Sequence, residues 1–199
     1  MKKQIVIINW WQSKSDFNSF EESLNKWSFH PEFQHFSMWT TNLHKNLPND
    51  KYEVLCPQMP NNFYAEYKYW KIRFEQVIPF LNKNVILVAH SLGGWFLAKY
   101  LNENDISFDI KHIFMVSATY KDGKELLWDF NFDKNLINFN KYWNLTTFIH
   151  AKDDDLVDFS DFQDFKKVIK EADFLELNSG KHFVQERFIF IEDCIINLS

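Results

Sequence analysis

Glycine, proline and cysteine are all scarce in this chain: its 199 residues hold 4 Gly, 5 Pro and 2 Cys. So little glycine and proline excludes a collagen-like repeat or a low-complexity linker. The two cysteines, Cys56 and Cys194, can form one bridge at most, which is no disulfide framework. Positive charge is short too, with 22 Lys and Arg against 27 Asp and Glu and a net charge of −5. That balance argues against a nucleic-acid partner and against electrostatic attraction to an anionic membrane. No apolar run is long enough for a membrane span. Lys2 and Lys3 are followed only by Ile5 to Ile8, too short for a signal-peptide core and better read as a first strand. A cytoplasmic location is the expectation.

Aromatic residues, by contrast, are plentiful: 22 Phe, 8 Trp and 7 Tyr. A chain of this length fits one domain over residues 1–199. Apolar runs predict strands at Ile5–Ile8, Tyr52–Cys56, Val85–Val88, His112–Ser117, Leu145–His150 and Asp173–Leu177. Apolar residues at helical spacing predict helices from Asp16 to Trp27, Phe36 to Leu47, Ala65 to Leu81 and Trp95 to about Asn104. Two more are predicted from Phe159 to Glu171, capped by Ser160 or Asp161, and from Phe183 to Asn197. Tyr120 to Asn144 reads as a long loop with a helical turn near Lys124 to Trp128. Alternating strands and helices imply an α/β protein with a mainly parallel sheet of about six strands and helices on both faces. Residues of about 12–36, rich in aromatics, read as core and packing or as a lid-like insertion over an apolar pocket.

One stretch organises the rest. Val85-Ile86-Leu87-Val88-Ala89 runs into His90-Ser91-Leu92-Gly93-Gly94, which spends half of the chain's glycine at one point. A serine between a buried strand and a helix sits on a sharp turn with its hydroxyl outward, as in a nucleophile elbow. The bland alternative is a serine that caps an ordinary helix. A serine nucleophile needs a base, and the base needs an acid to hold its tautomer. Both occur in the order Ser, Asp, His, each just past a strand: Ser91, the run Asp153-Asp154-Asp155, and His182 in a loop turned by Gly180. His90 reads as a packed neighbour rather than a base. His30, His35 and His44 lack metal-ligand spacing and read as surface residues, while His112 and His150 read as strand-end residues.

Ala89-His90-Ser91-Leu92-Gly93-Gly94, Asp154-Asp155-Leu156-Val157 and Gly180-Lys181-His182-Phe183 resemble the motifs of the α/β-hydrolase superfamily. More narrowly they resemble its small serine hydrolases of the YdeN and retinoblastoma-binding protein nine type. Met38-Trp39-Thr40-Thr41-Asn42-Leu43 and Cys56-Pro57-Gln58-Met59-Pro60-Asn61, with Trp70 after it, are similar to that subgroup's Trp-containing helix and Pro-x-x-Pro-Asn loop. The resemblance spans essentially the whole chain. It implies an α/β-hydrolase fold and the triad Ser91, Asp154 and His182. Asp154 is the aspartate that matches the family's Asp-x-x-Val-Pro, with Asp155 as the alternative if the register shifts by one. Asp153 and Asp155 otherwise read as a solvated turn.

The chain departs from the family pattern twice. Ala89 stands for the first elbow glycine, and Asn9-Trp10-Trp11 stands where a His-Gly or Gly-rich loop supplies an oxyanion N–H. Leu92, with Trp10 or Trp11, is the expected source of backbone oxyanion donors. The expected function is a serine hydrolase of the carboxylesterase class, acting on a small-molecule ester and requiring no cofactor or metal. The alternatives are a non-catalytic interaction module on the same fold and, within the class, an amidase or thioesterase.

Overall fold

The computed structural model describes residues 2–10, 17–26, 37–61, 64–120, 128–133 and 135–198. Within them lie six strands: β1 (Lys3–Trp10), β2 (Tyr52–Leu55), β3 (Val85–Ser91), β4 (Ile110–Val116), β5 (Thr146–Ala151) and β6 (Asp173–Leu177). The α-helices are α1 (Phe17–Lys26), α2 (Trp39–Asn46), α3 (Tyr67–Val77), α4 (Leu92–Glu103), α5 (Phe159–Val168) and α6 (Ile189–Asn197). All strand pairs are parallel, in the order β2-β1-β3-β4-β5-β6. Parallel neighbours need crossover connections, which carry helices over the faces of the sheet.

The alternation of side chains along β1 and β3 shows why both faces are covered. Val6, Ile8, Leu87 and Ala89 enter one core with Trp70 and Phe74 of α3, Phe96 and Leu97 of α4, and Phe162 and Phe165 of α5. Ile5, Ile7, Ile86 and Val88 enter a second core with Trp39 and Leu43 of α2 and Ile191 and Ile195 of α6. Strand β3 is buried at all 7 positions. Each such Val, Leu or Ile contributes roughly 1.5–3 kcal/mol over an exposed one, so β3 is a firmly held base from which a side chain can be presented. The chain passes from β1 outward to β2 and then returns to the other side of β1 as β3. That reversal makes the carboxyl ends of β1 and β3 a topological switch point, where α/β sheets open a crevice for ligands.

Helix α4 crosses this end of the sheet at very short range. A Cβ built on Gly93 would overlap the carbonyl oxygen of Ile8 in β1. The neighbour is backbone inside the sheet and cannot swing aside. Gly93→Ala is therefore expected to push α4 off β1 and lower stability by about 3 kcal/mol or more, read as a fall in Tm of roughly 6 °C or greater. An unchanged Tm contradicts this packing.

Several elements differ from the sequence expectation. Strand β1 continues through Asn9 and Trp10, because Asn9 pairs in register with His90 and Trp10 with Ser91. Helix α6 begins at Ile189 rather than Phe183, since Lys181 and Phe183 have φ of 46° and 50° and cannot be helical. The cap of α5 is Asp158, whose carboxylate accepts the Ser160 N–H at 2.7 Å, rather than Ser160 or Asp161. Asp161 is buried and accepts the Tyr120 N–H at 2.9 Å. The expected loop before β5 contains 3-10 helices at Trp128–Phe130 and Phe139–Leu145, the second around buried Phe139 and Tyr142. The turn expected from Lys124 falls largely outside the described residues, as does most of the 12–36 stretch apart from α1. Neither cysteine is in a disulfide.

Candidate active site

Ser91 stands at the junction of β3 and α4 with φ 57° and ψ −124°, a conformation costly for any side chain-bearing residue. The buried strand before it and the buried helix after it hold it there. Ser91 occupies the N-cap position of α4, but its side chain makes no capping hydrogen bond. Its Oγ instead lies 2.8 Å from Nε2 of His182. The capping alternative therefore does not describe this serine. The first N–H groups of α4, starting with Leu92, have no partner within the helix and face the same end of the sheet. Trp10, the last residue of β1, is in register beside Ser91, while Trp11 lies outside the described residues.

His182 is carried by the turn that follows β6. Gly180 makes this turn close: a Cβ there would run into the Phe183 ring, and the Phe183 N–H donates to the Gly180 carbonyl at 3.1 Å. The Lys181 N–H donates to Asp153 Oδ1 at 2.9 Å, and Trp39 Nε1 donates to the Phe183 carbonyl at 2.7 Å. Nδ1 of His182 is 3.0 Å from each carboxylate oxygen of Asp154. Of the three aspartates in the run, Asp154 is the one that meets His182. Asp155 is exposed, and Asp153 ties down the histidine's turn rather than merely being solvated.

The Asp154 side chain is fully buried, and four further groups hold it. Oδ1 accepts the N–H groups of Leu156 and Val157 at 3.0 Å, and Oδ2 accepts the Ser117 hydroxyl at 2.7 Å. Nε2 of His150 lies 3.5 Å from Oδ2 and 3.1 Å from the Val157 carbonyl. Burial pushes the Asp154 carboxyl up. The hydrogen bond and charge of His182, with the Ser117 and Val157 donors, outweigh it and leave the pKa below the ordinary carboxylate value. Burial holds the His150 pKa below the usual imidazole value, so its ring is neutral.

His90 is fully buried. Burial first, and the nearby charge of His182 second, push its pKa down to about 3, so it is neutral and no base. Its ring packs against that of His182, with centroids 4.9 Å apart. Ser117, the Asn9 and Thr40 side chains beside His90, and the bond of Trp39 to the Phe183 carbonyl were not legible as parts of the site. No spacing links residue 117 to 154 or residue 9 to 90, and only the fold brings them together. Of the other histidines, His44 is exposed and His112 bonds to Thr147 Oγ1 at 2.9 Å; His30 and His35 lie outside the described residues. Among the described residues, no group of three or more His, Cys, Asp and Glu side chains converges to hold a metal ion. No helix of the described residues is long and apolar enough to cross a membrane.

A family model described as serine hydrolase matches residues 33–188. The ydeN gene product of B. subtilis is similar in structure, with a TM-score of 0.73 and 23% identity, covering 99% of this chain and 98% of that one. A putative YdeN-like hydrolase from Pectobacterium atrosepticum superimposes with a TM-score of 0.67 at 11% identity, covering 99% and 90% of the two chains. An esterase from Exiguobacterium antarcticum does so with a TM-score of 0.60 at 13% identity, covering 98% and 91%. At these identities the structural likeness speaks for the α/β-hydrolase fold alone. No curated protein sequence matches the chain.

Proposed function

This chain belongs to the serine hydrolase family, and we propose that it cleaves carboxylic esters through an acyl-enzyme on Ser91, with Asp154 and His182 completing a catalytic triad. The observation that carries the reading is one unbroken set of hydrogen bonds: Ser91 Oγ to His182 Nε2 at 2.8 Å, and His182 Nδ1 to Asp154 at 3.0 Å. In this mechanism His182 takes the Ser91 proton as Oγ attacks the ester carbonyl, then delivers it to the leaving alcohol. Asp154, fixed by Ser117 and two backbone N–H groups, keeps the proton on Nδ1 and stabilises the imidazolium. Water then attacks the acyl-enzyme through the same base. The strained turn at Ser91 serves as the nucleophile elbow. The N–H of Leu92, with that of Trp10 or Trp11, stabilises the oxyanion. The Asn9 side chain is engaged with Thr40 and His90, so backbone groups fill that role.

An ester is favoured over an amide because an alkoxide leaves with far less help from the general acid than an amine. A structural relative bearing the name esterase agrees with that preference. The test offers one short acyl group as an aryl ester, a thioester and an amide. The ester is expected to give the highest kcat/KM, by roughly 10²-fold or more over the amide. Equal rates on the amide overturn the ester reading, and no turnover of any substrate by folded protein favours an interaction module. The same ester fixes the pH dependence. Asp154 is held ionised by its partners, so its carboxylate is not expected to add a proton to any fall of kcat/KM above about pH 5. A slope of two above about pH 5 contradicts the assignment, because the carboxylate then titrates as well.

A further inference from the structure

His90 precedes Ser91, yet successive strand residues face opposite sides of a sheet. Its ring packs edge-on against Trp39 of α2, with centroids 5.7 Å apart. Both ring nitrogens have partners. Nε2 lies 2.8 Å from the carbonyl oxygen of His182, and Nδ1 lies 2.8 Å from the side-chain amide of Asn9. The amide atom at the ring is Oδ1, and Asn9 Nδ2 lies 2.9 Å from Thr40 Oγ1 on α2. A carbonyl oxygen can only accept, so the proton of this neutral ring sits on Nε2. Nδ1 is then a lone pair. It is satisfied once the Asn9 amide, whose O and N have the same shape, is turned by about 180° so that its NH₂ faces the ring and its oxygen takes the Thr40 hydroxyl proton. With the amide so turned, the donors run in one direction, from Thr40 through Asn9 and His90 to the backbone of His182.

That backbone needs holding. Lys181 and Phe183, on either side of His182, both have positive φ. The Phe183 carbonyl is fixed by the Trp39 indole, and the His182 carbonyl by His90. We propose that His90 is a positioning residue: its Nε2–H anchors the main chain of His182, and Asn9 and Thr40 set the tautomer that makes this possible. The proposal rests on His182 being the general base, and it gives Asn9 a role at the place where the family has a His-Gly or Gly-rich loop.

The test uses the full chain and p-nitrophenyl acetate. His90→Phe keeps a ring against Trp39 and His182 but removes the donor. It is expected to lower kcat by roughly 10- to 100-fold with KM within about twofold, since a base displaced by a fraction of an ångström loses rate before it loses binding. His90→Gln places an N–H near the position of Nε2 and is expected to restore kcat to within about fivefold of the parent. Equal losses in the two variants, or a parental kcat in His90→Phe, overturn the proposal. Should both variants fail to fold, ¹⁵N shifts of the parent ring decide: a neutral Nε2–H tautomer from about pH 6 to 8 supports it, and an Nδ1–H or charged ring overturns it. Absence of turnover in the parent instead overturns the triad reading, and with it the catalytic purpose of His90 whatever its tautomer.

Discussion

Ser91→Ala is expected to lower kcat on a short-chain aryl ester by roughly 10⁴-fold or more, with the fold intact. The loss is large because no other hydroxyl is within reach of His182 Nε2, as far as the described residues show; Ser117, the other serine of the site, is committed to Asp154. What remains is the rate given by binding and oxyanion donors alone. Stability is a separate matter. The Ser91 side chain does not cap α4, so the methyl group of alanine removes no helix-terminal bond. Its main deletion is the hydrogen bond to His182, and a Tm within about 3 °C of the parent is the expected companion result. A variant that retains a tenth of the parental kcat places the nucleophile elsewhere.

The second large effect belongs to Asp154→Asn, expected to cost about 10³- to 10⁴-fold in kcat with little change in KM. The surroundings of the carboxylate dictate how the amide must sit. Two backbone N–H groups, of Leu156 and Val157, converge on Oδ1, so the amide oxygen is held there. The NH₂ is then forced into the place of Oδ2, facing Ser117 and His182. The serine hydroxyl can rotate to accept, but Nδ1 of His182, 3.0 Å from both places, now meets a donor as well as an acceptor. The Nδ1–H tautomer loses its hold and the imidazolium its counter-charge, so Nε2 is a poorer base toward Ser91. Asp155→Asn, on an exposed side chain, is expected to stay within about twofold of the parent. If Asp155→Asn proves the more damaging of the two, the register of the acid shifts by one and Asp154 becomes structural.

How much of this was legible in the sequence depended on the kind of signal. Strand β3 opens with a continuous apolar run because both faces of a parallel sheet are buried there, and such a run is read without knowledge of the fold. Ser91, Asp154 and His182 follow β3, β5 and β6, so their order along the chain already suggested that they meet. The concentration of half of the chain's glycine at Gly93-Gly94 marked the elbow, and the structure shows a close approach of Gly93 to Ile8 there. Less legible was everything decided by a single backbone contact. Helix α6 starts six residues later than its apolar spacing suggests, because the backbone on either side of His182 takes positive φ to present the ring. Asp158 rather than its neighbours caps α5 because its carboxylate reaches the Ser160 N–H, a choice between adjacent polar residues that propensity cannot make. Ser117 and the path from Thr40 through Asn9 to His90 join residues 31 to 92 positions apart along the chain. No periodicity records contacts at that range, and only the folded sheet, with α2 and the turn after β6 packed at its end, brings them together.

The central claim is that His182 activates Ser91, and the most direct measurement is covalent labelling by a fluorophosphonate probe with the modified residue located by mass spectrometry. The expected result is one adduct on Ser91 of the intact protein, formed at neutral pH and abolished in His182→Ala, whose folding is checked by circular dichroism. Folded protein that takes no label, or takes it on another residue, or labels Ser91 equally well without His182, contradicts the account.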